Sequence, residues 1–112
     1  VFNRPGIEVV TTAFTLAEVV EYLPVLAESQ NVALELLDLQ LRLLAIKVCP
    51  AGEYRHAMPE AMRRIGRRDP DDVELLALAL ARSIPVWTND RDFAGTGVRC
   101  LTTARLLKLL SE

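Results

Sequence analysis

Asp69-Pro70-Asp71-Asp72 runs directly into Val73-Glu74-Leu75-Leu76-Ala77-Leu78-Ala79-Leu80-Ala81, and Ile84-Pro85-Val86-Trp87-Thr88 follows. A carboxylate at the N-cap with proline at the first helical position starts a helix. The β-branched and aromatic residues beyond it read as a strand. A helix this apolar must be buried, and its alanines permit close packing onto a sheet. The pair therefore constrains the chain to an α/β arrangement. Acids open the helix, and Asn89-Asp90-Arg91-Asp92-Phe93 close the strand. In an α/β sheet those ends can meet at one edge, outside the carboxyl ends of the strands.

The remaining segments keep the same alternation. Ile7 to Thr11 is a short strand, and Thr15-Leu16-Ala17-Glu18 opens a helix as a capping box, with Thr15 as N-cap. Pro24 should end or kink that helix, because it has no backbone donor. Asn31 is expected to cap a long helix from Val32 to about Leu44. Its leucines at 34, 37, 41 and 44 follow helical spacing, and those at 36, 39 and 43 widen the apolar surface. Ile46 to Cys49 is a second strand. Residues 53–65 read as helical, restarting near Pro59, with Gly66 as a C-terminal cap. Val98 to Leu101 is a fourth strand, and Thr102 or Thr103 caps a last helix through Leu110. These elements define an α/β fold with a mostly parallel sheet and four visible strands.

With 112 residues, the chain is the size of one domain. Aromatics are 5% of it, so the core must be aliphatic, and the net charge of -2 does not advertise nucleic-acid binding. Cys49 and Cys100 are too sparse for a disulfide scaffold and read as buried, reduced thiols of a cytoplasmic protein. No apolar run reaches the ~20 residues of a membrane span.

Glu18, Asp72, Asp90 and Asp92 each follow a strand or open a helix. Taken singly they have ordinary roles. Glu18 closes a capping box, Asp69 is an N-cap, Asp71 and Asp72 suit a helix dipole, and Asp90 and Asp92 are turn residues. Taken together, carboxylates converging on one edge repel one another, and a bound cation removes that cost. Oxygen donors of this kind suit hard divalent ions such as Mg²⁺ or Mn²⁺.

Thr88-Asn89-Asp90-Arg91-Asp92-Phe93 resembles the PIN-domain segment in which a strand ends in Thr, a variable residue and Asp, with Asp-Phe just after. Asp69 to Ala79 resembles that family's third-acid helix, and Thr15-Leu16-Ala17-Glu18-Val19 its second-acid helix. The resemblance covers nearly the whole chain. It implies a three-layer α/β/α domain over residues 1–112 and a metal-dependent endoribonuclease cutting single-stranded RNA. Glu18, Asp72 and Asp90 would be the catalytic acids, and Asp92 would join them around Mg²⁺ or Mn²⁺. Many bacterial relatives are toxins silenced by an antitoxin protein.

The family's first acid lies on a central strand in an Asp-x-Asn context, flanked by the strands corresponding to Ile7–Thr11 and Ile84–Thr88. No such segment is present in the 112 residues. The expectation is therefore an N-terminally incomplete domain, weak or inactive by itself. An open central slot would leave unpaired backbone groups costing about 1–3 kcal/mol each, against a typical domain stability of roughly 5–15 kcal/mol. Upstream residues, direct sheet closure or another chain would fill it. The alternative function is a catalytically inactive PIN-like module binding RNA or protein. A response-regulator-like domain fits less well, since the chain shows no acidic pair after an opening strand.

Arg63, Arg64, Arg67 and Arg68, with Arg55 nearby, precede the acids. They read either as phosphate contacts for RNA or as a solvated helix end. His56 reads as a surface residue, Trp87 as core, and Met58 and Met62 as packing or interface residues. The leucine-rich helix over 32–44 predicts a homodimer.

Overall fold

The computed structural model describes residues 6–89 and 91–110; Asp90 and the side chain of Asp92 lie outside that description. The chain forms two compact units, residues 1–49 and 50–112.

In the first unit, β1 (Val9–Thr12) leads into α1 (Ala13–Gln30), α2 (Leu34–Leu43) and β2 (Ile46–Cys49). The two strands pair in parallel, with Val9 opposite Ile46 and Thr12 opposite Cys49. Thr12, not Thr15, caps α1. The Thr12 hydroxyl oxygen accepts from the Thr15 backbone N–H at 3.0 Å and donates to Thr15 Oγ1 at 2.8 Å. The helix thus begins three residues earlier than the capping-box reading required, and Glu18 falls in its second turn.

Pro24 lies inside a continuous α1. It is solvent-exposed, so the carbonyl deprived of its donor can be hydrated. Asn31 does not open α2; it terminates α1 in the left-handed conformation, φ 53°. The Asn31 N–H bonds Glu28 O at 3.2 Å and the Val32 N–H bonds Ala27 O at 3.0 Å, the paired closure of a Schellman motif. Asparagine tolerates that conformation better than most residues, so it serves the end of one helix instead of the start of the next. Leu23, Ala27, Cys49 and Thr12 are buried, whereas α2 buries none of its leucines.

The second unit holds α3 (Met58–Ile65), α4 (Val73–Arg82), β3 (Val86–Trp87), β4 (Cys100–Leu101) and α5 (Thr103–Leu110). Short 3-10 turns at Ala51–Glu53, Arg55–Ala57, Pro70–Asp72 and Arg91–Phe93 connect them. Strands β3 and β4 pair in parallel, Val86 opposite Cys100. Every strand pair described is thus parallel, as an α/β fold requires, and each sheet has two strands.

Helix α3 packs on α4. Ala57, Ala61, Ala77 and Ala79 are buried, and their small side chains let the backbones approach while Ile65, Leu76 and Leu78 fill the interior. Phe93, Val86 and Leu101 complete this core. Gly66 follows α3 with right-handed φ -58°, so it ends the helix without the left-handed turn expected of a glycine cap. Two further expectations change. Cys100 is exposed, unlike Cys49. Trp87 is 37% exposed, because its indole N–H reaches outward to the α5 hydroxyl described below.

Candidate functional site

Asp69 performs the capping role expected of it: its Oδ1 accepts from the Asp71 N–H at 3.2 Å. Pro70–Asp72 forms a 3-10 turn, closed by Asp72 N–H to Asp69 O at 3.2 Å, before α4 begins. Asp72 therefore stands at the N-cap position of α4, half-buried, and its side chain does not cap that helix. This is the positive end of a helix dipole, which favours an anionic side chain.

The second acidic segment leaves β3. Thr88 is half-buried and its N–H bonds Leu101 O at 2.9 Å, extending the strand pairing to the threshold of Asp90. Asn89 then turns its side chain onto the start of α5. Its Nδ2 donates to Thr103 Oγ1 at 3.2 Å, and its Oδ1 accepts from the Thr103 N–H at 3.0 Å. Trp87 Nε1 donates to the same hydroxyl at 3.0 Å. Thr102 accepts from the Arg105 N–H at 3.2 Å, so both threonines expected at this helix start take part. Nothing in the spacing of Trp87 and Asn89 foretold a shared partner 14 to 16 residues away.

Of the sequence-predicted acids, Glu18 belongs to the first unit and is half-buried, while Asp72 belongs to the second. Asp90 and the Asp92 side chain lie outside the described residues. Among the described residues, no three His, Cys, Asp or Glu side chains form a group able to hold a metal ion.

The arginines separate into two pairs. Glu60 accepts from Arg63 Nε at 2.9 Å, from Arg63 Nη2, and from Arg64 Nε at 2.9 Å. Hydrogen bonds from Arg63 and then Arg64 lower the Glu60 pKa to about 2, and Glu60 in turn raises that of Arg63. Arg64 Nη1 also donates to Thr96 O at 2.6 Å, and Arg68 Nη1 donates to Ala94 O at 3.1 Å. Arg63 and Arg67 instead line an open cleft of about 550 Å³ with Met62 and Gly66. Met62 is 53% exposed there, and His56 is exposed as expected.

One contact escaped the sequence reading altogether. The buried Tyr54 hydroxyl donates to Glu74 Oε1 at 2.7 Å, tying the 3-10 turns after β2 to the first turn of α4. A Tyr and a Glu separated by 20 residues leave no periodic signature.

A helix opened by acids and parallel strand pairs, with Asp90-Arg91-Asp92-Phe93 following β3 in the sequence, define an α/β domain with acids at the start of α4 and after β3. The profile of the PIN domain matches residues 1–111, and the chain belongs to the PIN-domain family. Membership carries a nuclease- and RNA-related function, and domains of this family generally use divalent metal ions. Neither the curated proteins nor the solved structures give a match. Among the described residues, no helix is long and apolar enough to cross a membrane.

Proposed function

We propose that this chain is the catalytic domain, or part of it, of a metal-dependent endoribonuclease that hydrolyses phosphodiester bonds of single-stranded RNA. The observation that carries the reading is the family match over residues 1–111, with Asp72 standing where acids open α4. In this reading Glu18, Asp72 and Asp90 are the catalytic acids, and Asp92 joins them as a ligand. The donor set is all carboxylate, which suits Mg²⁺ or Mn²⁺ and not a softer metal. A divalent ion bound there acidifies water and offsets charge gathering on the phosphate. The chain's own contribution is to hold the carboxylates in place and to present arginines to the RNA backbone.

We extend the reading to a cytoplasmic homodimer acting as the toxin of a toxin-antitoxin pair. The exposed leucines of α2 support a protein partner, because an apolar face of that breadth is costly in water. The test is Asp72→Asn in the natural protein. Cleavage of single-stranded RNA should require Mn²⁺ or Mg²⁺, and the substitution should lower the rate at least tenfold. Cleavage surviving excess EDTA, or an unimpaired variant, would sink the assignment. RNA binding without metal-dependent cleavage would favour a non-catalytic binding module.

A further inference from the structure

We infer that Arg64 and Arg68 are positioning residues that clasp the loop after β3, leaving phosphate contacts to Arg67 in the cleft beside Met62. The inference extends the ribonuclease reading, since the clasped loop directly continues Asp90 and Asp92; the clasp itself stands on contacts within the second unit.

The loop from Arg91 to Gly97 is a 3-10 turn followed by turns and bends, with Gly95 at φ 80° and Gly97 at φ 85°. Backbone carbonyls in such a path have no strand ladder to satisfy them. Arg64 takes the Thr96 carbonyl at 2.6 Å and Arg68 takes the Ala94 carbonyl at 3.1 Å. A guanidinium bonded to a carbonyl is a charge-assisted contact, stronger than an amide donor would make. The Arg64 side chain is only 30% exposed, so solvent screens it less than its neighbour Arg63 at 71%.

Glu60 fixes Arg64 from behind, so a continuous chain runs from Glu60 through Arg64 to Thr96. The Thr96 hydroxyl then donates to Phe93 O at 2.7 Å, with both residues buried. Gly97 completes the fit: a Cβ there would lie 2.8 Å from Arg64 Nη1. On the strand side of Asp90, Asn89 is locked to Thr103 by two hydrogen bonds. Asn89 at the end of β3 and the carbonyls of Ala94 and Thr96 in the loop are thus each tied down. Arg67 instead lines the cleft with Met62, an exposed methionine that can lie against a base.

The experiment compares Arg68→Met, Arg68→Lys, the Arg64→Met/Arg68→Met pair, Gly97→Ala and Arg67→Met by hydrogen exchange of peptides spanning residues 91–97. A parallel series measures binding to an oligouridylate strand against salt. Met substitutions at 64 and 68 should speed exchange of this loop at least tenfold, and Gly97→Ala, strained by its φ of 85°, should do so whether or not the clasp exists. Arg68→Lys should restore protection, and the salt slope should stay unchanged in all of them. Arg67→Met should leave exchange unaltered and lower the salt slope by about 1. Unchanged exchange in Arg68→Met, or a reduced salt slope in it, would overturn the clasp and make the residue a phosphate contact. If the double variant does not fold, Arg68→Met and Arg68→Lys decide the question. If the wild-type protein fails to bind RNA, the ribonuclease reading falls, while the exchange data still decide the clasp.

Discussion

Replacing Tyr54 by Phe removes one atom from the second unit and tests how its first turns are held to α4. The ring is 2% exposed and keeps its packing in the variant; the hydroxyl donor to Glu74 Oε1, at 2.7 Å, is lost. A hydrogen bond to a charged acceptor contributes about 1.5–3 kcal/mol net. Glu74 is half-buried, so water can replace part of what the phenol supplied, and the lower part of the range applies. We expect a loss of about 1–2 kcal/mol in urea denaturation, with the slope against urea unchanged because the surface exposed on unfolding is the same. A shift of about 4–8 °C in melting temperature per kcal/mol is expected for a domain near this size. The double variant Tyr54→Phe/Glu74→Ala should be less destabilised than the sum of the singles, since the second change removes a bond already broken. A single variant within about 0.3 kcal/mol of wild type, or strict additivity in the cycle, would refute the claim that this contact ties the segments together.

Two further predictions concern charge and packing. The Glu60 pKa is depressed from 4.5 to about 2 by Arg63 and then Arg64, so its stabilising contribution is complete above about 4.5 and is lost as pH falls toward 2. Glu60→Gln should flatten that acid limb of a stability-against-pH curve, with a small amplitude because the group is solvated; an unaltered limb would deny the contribution. Leu76→Ala, at a position with 0% exposure, should cost about 2–5 kcal/mol in chemical denaturation. Leu43→Ala, at 72% exposure, should stay within about 0.5 kcal/mol in a monomer. Leu43→Glu should reduce the mass seen by light scattering from dimer to monomer, and an unchanged mass would retire the homodimer.

Local chemistry was the part of this protein legible along the chain. Proline at 59 and 70, the Asp69 cap, the alanine-leucine run of α4 and the β-branched Ile46, Val48 and Val86 each act within a few residues, so their outcome can be read in order. The same is true of the acids flanking α4 and β3, whose pattern pointed to the PIN-domain family that the profile match shows. Choices between equivalent local partners were not legible. Thr12 and Thr15 could each have capped α1, and Asn31 could have opened α2 or closed α1; packing and register selected among them. Long-range bonds were invisible for a stronger reason. The Tyr54 hydroxyl, the Asn89 amide and the Arg64 and Arg68 guanidinium groups reach partners 14 to 32 residues away. A side chain's hydrogen-bonding capacity is a property of its type, but its partner is decided only when folding brings an unsatisfied group within about 3 Å and removes the water that would otherwise have served it.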